Sequence, residues 1–453
     1  MLWSSQEIQK ITKGECFRIF DIQDVVTDHR EVRPGSFFVA LKGETMDGHT
    51  FVEEAFKKGA CGALVSNNYI SNHGCLIKVE NTYDAFIKIT EASRARFKGT
   101  VLGITGSVGK TSVKEGLVFL LSKQAKTYGS KKSYNNHVGV PLTLINIPKD
   151  AEYAVLEMGM NHKGEMSALS LMAKPNGALI TTIAPAHLGN FESIEGIAHA
   201  KSEIFEGLTQ NGFAILNEDN EYIPILKENA LNQNVQKVFT FGMKSGDAYV
   251  LKIDGTRIHA SVLGEETSFQ LNCDGVHWIY NTLPLLLFVK ILGLDLQKAA
   301  QDVRLLAPAP GRGEVFEVPF NQGHITVIDD SYNANPESMK SGLSTLKAKS
   351  GRKIAVLGDM KELGVQSKSY HMALLDNILD AGVDRVFLCG EFMFHLYDTL
   401  PEVLKGTWAE TSEDLITPLQ DFVQQGDVVL VKGSNSLKMN LVVNALKDLK
   451  RGA

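Results

Sequence analysis

Short apolar runs alternate along this chain with stretches whose apolar residues recur at helical spacing. In residues 1–96, Ser36-Phe-Phe-Val-Ala-Leu41, Gly62-Ala-Leu-Val-Ser66 and Cys75-Leu-Ile-Lys-Val79 read as buried strands. Phe51 to Lys58 and Tyr83 to Phe97 read as helices there. In residues 97–308, Tyr153-Ala-Val-Leu-Glu-Met-Gly159 and Ala178-Leu-Ile-Thr-Thr-Ile183 read as strands. Thr111 to Gln124 sets Val113, Leu117, Leu120 and Leu121 on one stripe of a helix. In residues 309–453, Ile325 to Asp329, Lys353 to Gly358, Arg385 to Gly390 and Asp427 to Gly433 are strand-like, with helical patterns between them. This alternation predicts mostly parallel sheets. At 453 residues the chain is too long for one core. The expectation is an α/β protein of three domains, 1–96, 97–308 and 309–453. The Pro- and Gly-rich stretch Ala307 to Gly313 serves as the second linker.

One turn in this pattern carries chemistry. Val101-Leu-Gly-Ile-Thr-Gly-Ser-Val-Gly-Lys-Thr-Ser112 starts as an apolar strand, turns through glycines and enters a helix. Backbone N–H groups of such a loop surround a phosphate, and the helix N-terminus favours its negative charge. Lys110 reaches the outer phosphates and the Thr111 hydroxyl is suited to Mg²⁺. The loop is a shortened form of the usual spacing, Gly106-x-x-Gly-Lys-Thr111. Thr105 to Ser112 therefore form a candidate nucleotide site. Ligands of open parallel sheets sit beyond the carboxyl ends of strands. Thr111, Glu157 and His187 all fall at that edge, and a lone carboxylate after an apolar run makes Glu157 a candidate Mg²⁺ ligand. In the first domain Asp28-His-Arg30, Gly43 and Asp47-Gly-His49 are polar clusters beside strand ends. They suit ligand contacts and turns alike. Ala198-His-Ala-Lys-Ser-Glu203, on its own pattern, reads as helix surface.

Composition removes several function classes. With 44% hydrophobic and 22% charged residues the chain is ordinary and globular. A net charge of −6 offers no electrostatic reason to bind nucleic acid or an anionic membrane. The five cysteines form no C-x-x-C pair, which fits a reducing compartment better than a disulfide framework or a zinc site. The N-terminus lacks a basic stretch followed by an apolar core, and the most apolar run, Leu283 to Leu292, is too short to span a bilayer. A cytoplasmic monomer without a membrane span is expected.

In order, Gly106-x-x-Gly-Lys-Thr111, Asn135-Asn136, Glu157-Met-Gly159, His187-Leu-Gly189, Ala200-Lys-Ser-Glu203, Gly311-Arg312 and Asp330-Ser-Tyr-Asn-Ala-Asn-Pro336 resemble the motifs of the Mur ligases. These are ATP-dependent enzymes of peptidoglycan stem-peptide synthesis. The Tyr-Asn-Ala-Asn-Pro segment, with Leu357-Gly-Asp-Met-Lys-Glu-Leu-Gly364, is similar to the branch that adds D-alanyl-D-alanine to UDP-N-acetylmuramoyl-tripeptide. The resemblance spans nearly the whole chain. Sister Mur ligases and folylpolyglutamate synthase are alternatives of the same fold, and a nucleotide-dependent switch or motor ATPase is one of another class.

The resemblance implies ATP and two Mg²⁺ ions. It places Thr111 and Glu157 at one ion and His187 at the second, with Lys201 as a carbamylated lysine near the metal. Lys110, Lys201, His187 and Arg312 would carry catalysis. Asn281 would contact adenine, Arg312 the ATP phosphates and Asp330 the ribose. Asn135 and Asn136 would lie near nucleotide and substrate, and Asn333 and Asn335 on the D-Ala-D-Ala side. Asp28, Arg30, Gly43, Asp47 and His49 would bind the uridine end, where His29 replaces a small hydroxyl residue. Before Asn281 the chain has His277-Trp278, a departure from the family. Lysine and diaminopimelate both remain open as the tripeptide's third residue.

Overall fold

The computed structural model describes residues 1–71, 74–185, 188–272 and 275–449. Three sheets follow one another along the chain. The first has five strands, of which Asp24–Val26, Ser36–Val39, Gly62–Ser66 and Leu76–Val79 run parallel and Glu15–Cys16 closes one edge antiparallel. Trp3–Ser4 and Asp21–Ile22 form a separate antiparallel pair.

The central sheet has nine strands. Thr100–Thr105 lies between Tyr153–Glu157 and Gly177–Ile180, parallel to both. Thr127–Gly129 forms one edge. On the other side Phe213–Asn217, Lys237–Gly242 and Ala248–Asp254 continue in parallel, and Arg257–Val262 and Glu265–Gln270 end the sheet antiparallel.

Successive residues of the middle strands feed opposite cores. Leu102, Ile104, Val155 and Leu179 pack with the helices Lys110–Ser122 and Val276–Ile291. Val101, Ala154, Leu156, Ala178 and Ile180 face the other side with Met166 and Ile197. Burial on both faces explains why these strands read as continuous apolar runs rather than alternating ones.

The third sheet has six strands, with Gly323–Asp330, Val428–Lys432, Lys353–Gly358, Arg385–Cys389 and Lys405–Ala409 parallel and Glu314–Phe320 pairing antiparallel to the first of these. The mostly parallel α/β expectation therefore holds in all three sheets. The antiparallel edge strands were not read from the sequence, and neither were the parallel strands Phe213–Asn217, Lys237–Gly242, Ala248–Asp254 and Lys405–Ala409.

The three parts touch. The Trp3 indole donates to the Ile145 carbonyl at 3.1 Å, and Asn146 exchanges hydrogen bonds with the backbone of Val25 at 2.8 and 2.9 Å. Between the second and third parts, Gly189 N–H donates to the Glu362 carbonyl at 2.9 Å. Gly364, with φ +59°, is pressed against Gly189 there: a Cβ on Gly364 would lie 2.9 Å from the Gly189 Cα.

Candidate active site

The strand Thr100–Thr105 delivers the glycine loop to the sheet's carboxyl edge, and the helix Lys110–Ser122 starts at its end. Gly106 and Gly109 have φ of +145° and +86°, so the turn requires residues without a side chain. A Cβ on Gly106 would collide with Thr181 Oγ1, and one on Gly109 would sit 2.7 Å from Asn281 Oδ1. The loop is latched from outside. Thr181 donates to the Val108 carbonyl at 2.5 Å, Ser107 N–H donates to the Thr182 carbonyl at 2.8 Å, and Ser107 Oγ donates to the Ala184 carbonyl at 2.9 Å. For that reason the strand expected over 178–183 ends at Ile180: Thr181 and Thr182 leave the sheet to hold the loop.

Glu157 ends its strand and is 1% exposed. Thr111 Oγ1 donates to its Oε2 at 2.7 Å, and Asn135 Nδ2 donates to its Oε1 at 2.8 Å. The loop mouth thus holds a buried carboxylate and a hydroxyl, both hard oxygen donors. Among the described residues no third His, Cys, Asp or Glu completes a metal cluster. That set fits Mg²⁺, which takes few protein ligands and keeps phosphate and water oxygens. His187 lies outside the described residues.

Two lysines face this edge. Lys110 Nζ donates to the Gly106 carbonyl at 2.6 Å, so the ammonium rests on its own loop. Burial lowers its pKa, Glu157 opposes the shift and Arg312 adds to it. Lys201 corrects the surface reading of 198–203, for it is 1% exposed. The helix Ile194–Ser202 turns this residue inward while Ile197, Ala198 and Ala200 join the core. Its amine has no hydrogen-bond partner among the described residues. Burial holds its pKa well below the ordinary lysine value, and Lys110 pushes it the same way.

Ser107 to Ser112, Asn135, Asn136, Glu157, Lys201 and Asn281 share one cavity of about 1530 Å³ with Arg312, Asp330, Asn333 and Asn335. Arg312 lies over the Tyr332 ring at 4.1 Å and donates to Ser133 Oγ at 3.3 Å. Asp330 pairs with Lys432 at 2.7 Å, and Lys432 also donates to the Asn333 carbonyl at 2.9 Å. Two asparagines have structural work. Asn136 Oδ1 accepts from Gly139 N–H at 2.9 Å, and Asn335 caps the helix Pro336–Lys347 through Ser338 N–H. Thr105 is buried beneath the loop, with no partner for its hydroxyl among the described residues.

Sequence reasoning missed Thr181, Tyr332, His277 and Lys432, which line the same cavity. Lys432 had a signal: like Glu157, it is a charge at the end of an apolar strand. His277 is half-buried, with Nδ1 3.1 Å from Ser341 Oγ. Burial, with Lys432 nearby, brings its pKa down to about 4.

The first-domain candidates lie away from this cavity. Arg30 grips Asp28 through Nε and Nη2, and the Asp28 pKa falls to about 2, chiefly through those hydrogen bonds. His29 stacks on Phe51 with ring centroids 4.1 Å apart. Asp47 accepts from His49 N–H at 3.0 Å and faces Nδ1 at 2.6 Å, while Ser66 N–H donates to His49 Nε2 at 3.0 Å. Gly43 N–H donates to the Met46 carbonyl at 2.8 Å.

Three family descriptions match the chain: Mur ligase family, catalytic domain, over residues 21–94; Mur ligase middle domain over 104–288; and Mur ligase, glutamate ligase domain, over 311–435. A UDP-N-acetylmuramoyl-tripeptide–D-alanyl-D-alanine ligase of Rickettsia prowazekii is 33% identical over 98% of this chain and 99% of its own length. The Escherichia coli enzyme of the same name is 36% identical over 94% of this chain and 93% of its own. Among solved structures, MurF from Acinetobacter baumannii superposes with a TM-score of 0.85 at 28% identity, covering 98% of this chain and 99% of that one. MurF from Thermotoga maritima in complex with ADP gives 0.79 at 29% identity, covering 95% and 99%. Among the described residues no helix is long and apolar enough to cross a membrane.

Proposed function

The chain belongs to the Mur ligase family, and from that membership we propose how its cavity performs an ATP-dependent ligation. The reaction joins D-alanyl-D-alanine to UDP-N-acetylmuramoyl-tripeptide in peptidoglycan synthesis. A carboxylate is a poor electrophile. Its oxygen therefore first takes the γ-phosphoryl group of ATP, releasing ADP and leaving an acyl phosphate. The dipeptide amine then attacks the carbonyl carbon, phosphate departs and the amine's extra proton is lost to solvent. Both steps develop charge on phosphoryl oxygens, so fixed positive groups and N–H donors do most of the work.

The loop N–H groups of residues 107–112 hold the phosphates. Lys110 leaves the Gly106 carbonyl to meet them. Asn281, beside Gly109, faces the adenine end, and Asp330 the ribose. Arg312 reaches the phosphates from the third domain (309–453), while Asn333 and Asn335 shape the dipeptide side. Thr111 and Glu157 would hold one Mg²⁺, and His187 would serve a second ion. When bound, Mg²⁺ neutralises charge on the transferring phosphoryl group. The buried amine of Lys201, without a hydrogen-bond partner among the described residues, supports carbamylation: only a neutral amine adds to CO₂, releasing a proton and leaving an anionic carbamate. The first domain (1–96) holds the uridine end through Asp28, Arg30, Gly43, Asp47 and His49.

The observation that carries this reading is the meeting of Thr111, Glu157 and Lys201 with Arg312 and Asp330 in one cavity. The test is phosphate release from ATP with each substrate omitted in turn. Release is expected only with both UDP-N-acetylmuramoyl-tripeptide and D-alanyl-D-alanine present. Turnover independent of both acceptors would instead indicate a switch or motor ATPase.

A further inference from the structure

One fully buried ammonium takes no part in the chemistry above. Lys114 lies one helical turn beyond Lys110 and has 0% of its surface exposed. Its Nζ donates to the carbonyls of Ser130 at 2.8 Å and Lys132 at 2.9 Å, and it pairs with Glu115. All three ammonium hydrogens are thereby used. Both carbonyls belong to the connection between the strand Thr127–Gly129 and the helix Gly139–Ile145.

That connection meets all three parts of the molecule. Lys132 Nζ and Tyr134 Oη donate to Glu31 Oε1 at 2.5 and 2.7 Å, in the first part. In the second, Asn135 Nδ2 donates to Glu157, and the Asn135 carbonyl accepts from Gly159 N–H at 2.8 Å. Ser133 Oγ receives Arg312 from the third. A connection free to sample other backbone states loses these contacts together. Charge-assisted hydrogen bonds to two carbonyls, shielded from water, fix it to the helix that opens at the phosphate loop.

We infer that Lys114 is a positioning residue for the ligation: it clamps residues 130–136 so that Asn135 orients Glu157 and Ser133 receives Arg312. The inference rests on the nucleotide reading of the loop. It concerns the supports of that site rather than the groups that touch ATP.

The test compares wild type, Lys114→Met and Lys114→Arg by calorimetric titration with Mg²⁺–ADP, alongside kcat and KM for each substrate. Lys114→Met is expected to fold, to bind Mg²⁺–ADP about tenfold more weakly and to lose kcat, as supports of metal ligands do. Lys114→Arg, which keeps donors for the carbonyls, should restore most of both. A cooperatively melting Lys114→Met with wild-type ADP affinity overturns the inference. Should Lys114→Met not fold, Glu31→Gln decides. If Lys114 is the clamp, cutting the far contact leaves ADP affinity within about twofold. A larger loss shows that the first domain, not Lys114, places the connection. Wild-type protein that binds no nucleotide overturns the reading of the loop, and this inference with it.

Discussion

The phosphate-loop edge and the polar turns of the first domain both present the residue types expected of a binding site, yet they use them oppositely. At the loop edge, polar groups are buried with capacity to spare. Among the described residues Lys201 has no hydrogen-bond partner, and the Glu157 carboxylate accepts from two neutral donors, Thr111 and Asn135. In the first domain the same kinds of residue are satisfied by one another: Asp28 by Arg30, Asp47 by His49, His49 by Ser66. Unspent hydrogen-bonding capacity in a buried place is costly and marks a site awaiting a ligand. A closed ring of hydrogen bonds at the surface shapes a turn, whatever else it touches.

Four experiments press on this contrast. Lys110→Ala should lower kcat by about 10³-fold with the fold intact, as loss of a charged donor to the transition state does. A folded variant with wild-type kcat would remove the loop edge from the chemistry. For Lys201→Ala the expected loss is about 10–100-fold, the range for groups that support a metal site. Added bicarbonate should raise the activity of CO₂-depleted wild type and leave the variant unmoved. Stimulation of both alike would discard the carbamate.

Third, His277 sits neutral at the loop edge. In the unfolded chain it takes up a proton near its ordinary value of 6.5, whereas in the folded protein it does so only near 4. Between those values the unfolded state binds more protons, so stability is lost as pH falls from 6.5 toward 4. Between pH 7 and pH 5 that loss is about 2 kcal/mol at most. Urea unfolding of wild type and His277→Gln at both pH values reads it out; equal losses in the two proteins would show that His277 does not contribute. The smallest effect is expected from Asp47→Ala, about 1 kcal/mol of stability, because water replaces part of what His49 loses. A raised KM for the UDP-linked substrate is expected beside it, from the contact with the uridine end; unchanged stability would show that Asp47 braces nothing.

The contrast also explains what was legible in the sequence. Thr111 and Glu157 could be placed because each follows a doubly buried apolar strand, and the sheet fixes where such strands end. Lys201 could not: Ala198 to Glu203 alternates small and polar residues, and only tertiary packing reveals that the lysine turns inward. Asn335 stands in a motif, yet its side chain is a helix cap, a role any Asn before Pro336 could take. Thr181 gave no warning, since threonine at a strand end is common. Its hydroxyl matters because Gly106 leaves it room.

The pair Gly189 and Gly364 acts as a bumper between the second and third parts. It has no chemistry of its own, but its thinness lets the two parts that carry the phosphate loop and Arg312 meet backbone to backbone. A methyl group on Gly364 would stand 2.9 Å from the Gly189 Cα, and the backbone would have to retreat. Alanine there would act as a shim. It would prise the cavity open at its rim, a change of reach made by one added carbon and no change of charge.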